Sequence, residues 1–186
     1  MEISRILDDY RQHTILSAKH KGKFRGRVWK KKALLHETEG TSVENTLDEL
    51  KKFVDEKLER AARAAGNTPD ETRVIDGLRK ICTQLGDGQL AMLKAHYHAK
   101  NQAITASELA AAAGYASYHP ANLHYGNIGK LLYELAPIKL NTYKDGTPIY
   151  TFYLATELTE TADEQNWNWK LRPEVSNAIK ALGLDA

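Results

Sequence analysis

The strongest constraint on the fold of this chain is a succession of helix and breaker signals between residues 89 and 154. It starts with a helical run, Gln89 to His98, which stops at the polar break Lys100-Asn101-Gln102. Ile104 to Gly114 then encodes a compact helix. Thr105 or Ser107 can cap it, and Glu108 lies in its first turn, where exposed N–H groups stabilise a carboxylate. Leu109 and the run Ala110 to Ala113 present a low surface that another helix can approach closely. Gly114 supplies the left-handed residue that ends the helix, a conformation that Cβ-bearing residues resist. A further helix is predicted from about Pro120 to Leu135, with the proline at the first helical position. Its inward residues are Ile128, Leu131, Leu132 and Leu135, with Ala121 or His124. Asn122, Gly126, Gly129 and Tyr133 line another face. Gly126 and Gly129 each cost about 1 kcal/mol relative to alanine in a helix, so a closely approaching duplex or helix has to compensate. Ile138 to Leu154 closes the run as two strand-like stretches around an Asp145-Gly146 turn.

Three short helices followed by a hairpin make a winged helix-turn-helix layout, which mostly binds nucleic acid but also serves in protein docking. In such a layout the second helix of the pair presents its N-terminal turns to base edges, while the wing and flanking loops grip phosphates. Base or groove contacts therefore fall on Ser117, Tyr118, His119, Asn122 and Asn127. Phosphate contacts fall on Lys130, Lys144, Arg25 and Arg27. Asparagine can pair bidentately with adenine, and Ser and His donate to bases or phosphates. A purely structural role for Asn122 is to cap the helix after the Tyr-His-Pro turn. Between Gln89 and Leu135 the basic residues are Lys94, Lys100 and Lys130. Phosphate neutralisation supplies most non-specific affinity, so further charge has to come from elsewhere. The sources are the Arg11 to Lys32 stretch, Lys139 and Lys144 in the wing, or a partner protein.

That basic stretch is conspicuous on a chain of net charge +2. Arg11 to Lys32 holds nine Lys or Arg and no acid, and Glu37 to Glu59 then holds eight acids against three lysines. Two explanations stand: a surface facing a polyanion, or a hairpin whose charges are neutralised by the acidic helix beside it. Met1 to Arg11 places Ile3, Ile6, Leu7 and Tyr10 at helical spacing and predicts a short amphipathic helix. Thr14 to Ala18, Phe24 to Trp29 and Ala33 to His36 read as strands. Phe24, Gly26 and Val28 share one face of the second, with Arg25, Arg27 and Trp29 on the other. A helix from Val43 to Ala65 follows, with Ser42 as N-cap and Asn45 where a capping box places Glu or Gln. Val43, Leu47, Leu50, Val54 and Leu58 form its apolar face. Thr68-Pro69-Asp70 marks a boundary, and Asp70 to Leu85 is a connecting helix with Val74, Ile75, Leu78, Ile81, Cys82 and Leu85 on one side. The organisation is α+β: a β-β-β-α domain over 1–66, a connecting helix over 67–88, and a winged helix with a C-terminal extension over 89–186.

Two resemblances add to this. The strings Ile104-Thr-Ala-Ser-Glu-Leu-Ala-Ala-Ala-Ala-Gly-Tyr-Ala-Ser-Tyr118 and Ala121-Asn-Leu-His-Tyr-Gly-Asn-Ile-Gly-Lys130 resemble a winged-helix module of bacterial restriction-type proteins. Trp169-Lys-Leu-Arg-Pro-Glu-Val-Ser-Asn-Ala-Ile-Lys-Ala-Leu-Gly183 is similar to the end of the same module. There the module often accompanies an HNH nuclease. What the resemblance implies is a non-catalytic double-stranded DNA-binding role in bacterial or phage defence, counter-defence or regulation. The alternative is an inhibitor or adaptor of the anti-CRISPR or anti-restriction type, docked on a nuclease or surveillance-complex protein. Either reading admits a homodimer. The strand hairpins and helix from about Ile15 to Leu58 resemble the small domains of HicB antitoxins and double-stranded-RNA-binding folds.

Catalysis is not expected, and neither is a cofactor. A Gly-rich phosphate loop, a GxSxG elbow, an HExxH pair and paired cysteines are all missing from the sequence. Cys82 is the lone cysteine, which leaves no intrachain disulfide and reads as a small buried hydrophobe. His96 and His98 diverge by about 200° on a helix, which argues against a shared metal. Glu157, Glu160, Asp163 and Glu164 read as a solvated acidic loop rather than a metal site. Trp167 and Trp169 alternate as in a half-buried strand, with base stacking as the alternative. No run approaches a bilayer span of about 20 apolar residues, and the N-terminus lacks a signal-peptide pattern, so the cytoplasm is the expected compartment.

Overall fold

Two-residue turns organise the first of the two units in the computed structural model, which describes residues 5–158 and 168–186. This unit, Met1–Ala61, is built on a four-stranded antiparallel meander in the order β1-β2-β3-β4. The strands are β1 (Arg5–Tyr10), β2 (His13–His20), β3 (Lys23–Lys30) and β4 (Ala33–Gly40). Arg11 and Gln12 both take left-handed backbone (φ 48° and 61°), as do Lys21 and Gly22 (48° and 78°). Positive φ at both central positions matches the twist of the flanking strands.

The predicted N-terminal helix is corrected here. Arg5–Tyr10 is a strand, paired with β2 in a register that sets Leu7 opposite Leu16 and Tyr10 opposite His13. The spacing of Ile6, Leu7 and Tyr10 fits a helix, but Ile6 and Tyr10 also fit a two-residue period. A helix this short is marginal in water, whereas pairing with β2 satisfies the backbone. The sheet therefore has four strands rather than three.

α1 (Val43–Ala65) starts and ends where the sequence places it. Ser42 Oγ accepts the Asn45 N–H at 3.0 Å, and Asn45 Oδ1 reaches back to the Thr41 N–H at 3.1 Å, so asparagine closes a cap one residue earlier than Glu would. Val43, Leu50, Val54 and Leu58 are buried, each burial worth about 1.5–3 kcal/mol. Leu47 and Phe53 are half-buried. Gly26 on β3 makes the packing on the sheet possible: a Cβ there would meet Thr46 Cγ2 at 2.5 Å and Leu50 Cδ1 at 2.8 Å. Phe24, Gly26 and Val28 share the covered side as expected, and Arg25 and Arg27 point away.

The second unit, Ala62–Ala186, is helical around a small sheet. Its helices are α2 (Glu71–Ile81), α3 (Asp87–His98), α4 (Ala106–Ala112), α5 (Tyr118–Leu135), α6 (Thr151–Leu154) and α7 (Pro173–Ala181). Its strands are β5 (Ala103–Thr105), β6 (Ala155–Glu157) and β7 (Asn168–Leu171), in the antiparallel order β5-β7-β6. Asp70 caps α2 by accepting the Arg73 N–H at 2.9 Å. α2 packs on α5 and α7, with Gly77 leaving room for Leu132. Cys82 is not fully buried; it follows α2, and its thiol donates to the Arg79 carbonyl at 3.2 Å. No helix among the described residues is long and apolar enough to cross a membrane.

The hairpin expected over Ile138 to Leu154 is also corrected. That stretch is a loop with one isolated bridge, Thr142 to Pro148, and it ends in α6. The Asp145-Gly146 turn exists, with Asp145 Oδ1 accepting the Thr147 N–H at 2.9 Å. Ile149 N donates back to Asn141 O, but Phe152 and Tyr153 instead donate to Ile149 and Tyr150 in a helical turn. The strands that pair are β6 and β7, and Thr159 to Trp167 between them lies outside the described residues.

Candidate functional site

The N-terminal half of α5 is where the predicted site residues converge, because of how the chain enters it. Thr105 Oγ1 accepts the Glu108 N–H at 3.2 Å and Glu108 Oε2 accepts the Thr105 N–H at 2.8 Å, a reciprocal cap that fixes α4. α4 then ends in a Schellman motif: Tyr115 N donates to Ala110 O, and Gly114, at φ 73°, donates to Ala111 O. Tyr115 stacks on His124 of α5, with ring centroids 5.4 Å apart. That contact ties the turn to the second helix of the pair.

α5 begins at Tyr118, two residues earlier than expected, with Ser117 at the N-cap position. Pro120 thus occupies the third helical position, still within the first turn, where an N–H has no intrahelical acceptor. Asn122 lies inside the helix, which removes its alternative role as a cap. Ala121, Tyr125, Ile128 and Leu132 form the buried stripe. Tyr125 is absent from the expected inward set, although its spacing from Ala121 and Ile128 is the signal that reveals it.

Ser117, Tyr118, His119, Asn122, Asn127 and Lys130 all lie on the exposed side of α5. None of these side chains hydrogen-bonds or ion-pairs with another described residue. The rings of Tyr118 and His119 lie 4.2 Å apart. The sequence reading missed Leu123, which is 63% exposed on the same side, and Tyr143, which is 58% exposed in the loop beyond α5. Between α5 and residues 143–152 runs a groove of about 470 Å³, floored by Ile149, Phe152 and Trp169 and edged by Asn122, Asn127 and Tyr143.

Lys144 is exposed in the loop after α5 rather than in a paired hairpin. Arg25 and Arg27 belong to the N-terminal unit, on β3. Arg25 pairs with Glu39 at 3.0 Å, Arg27 pairs with Glu37, and Lys23 pairs with Glu39 at 3.4 Å. Lys23, Arg25 and Arg27 thus meet cross-strand acids of β4, while Arg11 of the same basic stretch pairs with Asp55 of the acidic helix α1 at 3.0 Å. Lys23, whose hydrogen bond is the largest cause, holds Glu39 below the ordinary carboxylate range, and Arg25 adds to the effect.

Glycine spacing in α5 has an internal explanation. A Cβ on Gly129 would fall on the Tyr150 carbonyl oxygen, so the chain entering α6 passes directly over this helix. Beneath the site, His96 is fully buried. Its Nδ1 faces the Tyr125 hydroxyl at 2.6 Å and its Nε2 faces the Trp169 carbonyl at 2.9 Å. A carbonyl only accepts, so Nε2 carries the proton and Nδ1 accepts from Tyr125. Burial lowers the His96 pKa to about 4 and raises that of Tyr125. One neutral imidazole thereby joins α3, α5 and β7. His98 is exposed and faces the Asp185 carbonyl at 2.8 Å, so the two histidines do diverge.

Trp169 is buried in β7, as its alternation predicts, and Glu157 is exposed on β6. Glu160, Asp163, Glu164 and Trp167 lie outside the described residues. No group of three or more His, Cys, Asp or Glu among the described residues is arranged to hold a metal ion. Set against protein-family models, curated proteins and solved structures, the chain has no match.

Proposed function

We propose that the C-terminal unit is a winged helix-turn-helix that binds double-stranded DNA without catalysis, in a bacterial or phage defence, counter-defence or regulatory setting. α4 and α5 form the helix pair and β6–β7 the wing. The observation that carries this reading is the exposed side of α5, where Ser117, Tyr118, His119, Asn122, Asn127 and Lys130 make no polar bond with another described residue. These are the hydrogen-bonding groups that read base edges and phosphates. Charge is the counterweight. Residues 62–186 hold 12 Lys or Arg against 13 acids, whereas residues 1–61 hold 14 against 11. The phosphate-neutralising groups therefore include Arg25 and Arg27. Exposed ion pairs such as theirs are worth about 0–1 kcal/mol, so phosphates can exchange for Glu37 and Glu39 at little cost.

Fluorescence anisotropy of a labelled duplex across salt tests this. If Lys130, Lys144, Arg25 and Arg27 each neutralise one phosphate, log affinity falls against log salt with a slope of about −3.6. Replacing Arg25 and Arg27 with Ala flattens the slope by about two units and weakens all sequences alike. Absence of binding to any duplex at low salt would rule the reading out. Asn122→Ala is a separate test of readout. It should cost about 1–3 kcal/mol of discrimination between sites if Asn122 pairs with adenine, with the salt slope unchanged. An unchanged site preference in this variant would remove Asn122 from the contact set.

A second reading, docking on a nuclease or surveillance-complex protein, is favoured by Leu123, an apolar side chain 63% exposed at the centre of the same side. Co-purification from cells separates the two. A stoichiometric protein retained at high salt and lost in Leu123→Asp supports docking. Retention of that protein by Leu123→Asp would exclude α5 as the docking surface.

A further inference from the structure

We infer that the groove between α5 and residues 143–152 receives a single unstacked nucleobase, an inference that rests on the nucleic-acid reading of the same unit. Its volume of about 470 Å³ lies in the range of about 300–1,000 Å³ typical of small-molecule sites, which are apolar and aromatic with a few placed polar groups. The lining has this composition. Ile149, Phe152 and Trp169 supply a floor, Tyr143 supplies an exposed aromatic edge, and no lining residue is charged. A charged ligand has no counter-charge here, whereas an uncharged planar ring can stack on the aromatic edge.

Beside the hydroxyl-bearing Thr147, Tyr150 and Thr151, the wall carries the amides of Asn122 and Asn127, both without hydrogen bonds to other described residues. Each offers a donor and an acceptor, which complements the edge of a heteroaromatic ring and not an aliphatic side chain. Lys130 follows Asn127 by one turn of α5, and Lys144 follows Tyr143 in the loop, so cations flank the wall for the sugar-phosphate chain attached to the ring. Leu123, which lines the groove and is 63% exposed, is the kind of apolar side chain that wedges between base steps and opens a stack. The shared chemistry is a nucleobase, delivered either within a strand or as a free nucleoside.

Two arms test this on the full chain. In the first, anisotropy compares a fully paired duplex with the same duplex carrying one mismatch. A mismatched base is spared much of the unstacking cost of a few kcal/mol, so the mismatched duplex should bind about tenfold tighter or more. The preference should fall to about unity in Tyr143→Ala and persist in Tyr143→Phe; both alter an exposed ring, so folding is retained. In the second, adenosine, cytidine, guanosine and thymidine are titrated into ¹⁵N-labelled protein while the Trp169 indole and the Asn122 and Asn127 amides are followed. Saturable shifts at these signals without duplex binding keep the pocket and assign it to free nucleosides, at the expense of the DNA reading. Equal affinity for paired and mismatched duplexes, with no nucleoside shifts, overturns the inference while leaving duplex binding intact. A protein partner that protects Leu123 and Tyr143 while neither nucleoside nor duplex binds overturns both.

Discussion

Gly129→Ala should destabilise the C-terminal unit by about 3 kcal/mol or more, at or beyond the upper end of ordinary overpacking. The added methyl coincides with the Tyr150 carbonyl oxygen, a backbone atom that has no rotamer by which to escape. Either α5 or the entry to α6 has to move, and Phe152, Tyr153 and Leu154, all buried, move with the latter. Gly126→Ala is the internal control. Its nearest neighbour is Thr151 Oγ1 at 3.6 Å, an ordinary contact, so the gain in helix propensity of about 1 kcal/mol dominates. Urea unfolding of both variants decides the matter. Similar midpoints for the two would show that the passage of Tyr150 over α5 is not a rigid constraint.

Acid should weaken the same unit through His96. An unfolded histidine titrates near 6.5 and the buried His96 at about 4, so below 6.5 the unfolded chain takes up a proton that the folded one refuses. Stability is complete above pH 6.5, falls by about 1.4 kcal/mol per pH unit through the window, and levels out near pH 4 after a loss of about 3 kcal/mol. His13 shifts in the same direction, through burial above all, in the other unit. His96→Gln isolates the effect. It lowers stability at pH 7, because Tyr125 and the Trp169 carbonyl lose a fitted partner, and it removes this segment of the pH dependence. A wild-type pH dependence retained in His96→Gln would place the acid sensitivity elsewhere.

How much of this could be read from residues alone follows from the range over which each signal acts. Local signals carried α1, the Thr105–Glu108 cap and the Gly114 stop, because each depends on groups a few residues apart. The exposed placement of Asn122, Asn127 and Lys130 followed from helix geometry in the same way. The errors came where distant partners decide. Arg5–Tyr10 became a strand because β2 offered it a backbone to pair with. Tyr150 to Leu154 has strand-like composition but cannot stay extended, since α5 and Gly129 hold it close and β7 pairs with β5 and Ala155–Glu157 instead. The groove was illegible for the same reason: Asn127, Tyr143 and Trp169 meet only after that loop folds back. Gly126 and Gly129 did signal close backbone approach, and at Gly129 the approaching backbone is the chain's own.

The connection pattern of the two sheets also sets when each can form. In the N-terminal unit every strand pairs with its successor, and each of the three hairpins turns on at least one residue in left-handed backbone. Contacts that close such short loops form quickly, so this unit can fold while the rest of the chain is still being synthesised. The C-terminal sheet has no such early partner. Among the described residues, Ala103 to Thr105 pairs as a strand with β7 alone, with Ile104 opposite Trp169. Until the ribosome has released Trp169, Ile104 has no strand to pair with and His96 lacks the Trp169 carbonyl. Nascent chains truncated before β7 should therefore protect residues 5–61 from protease while leaving residues 87–135 open to it.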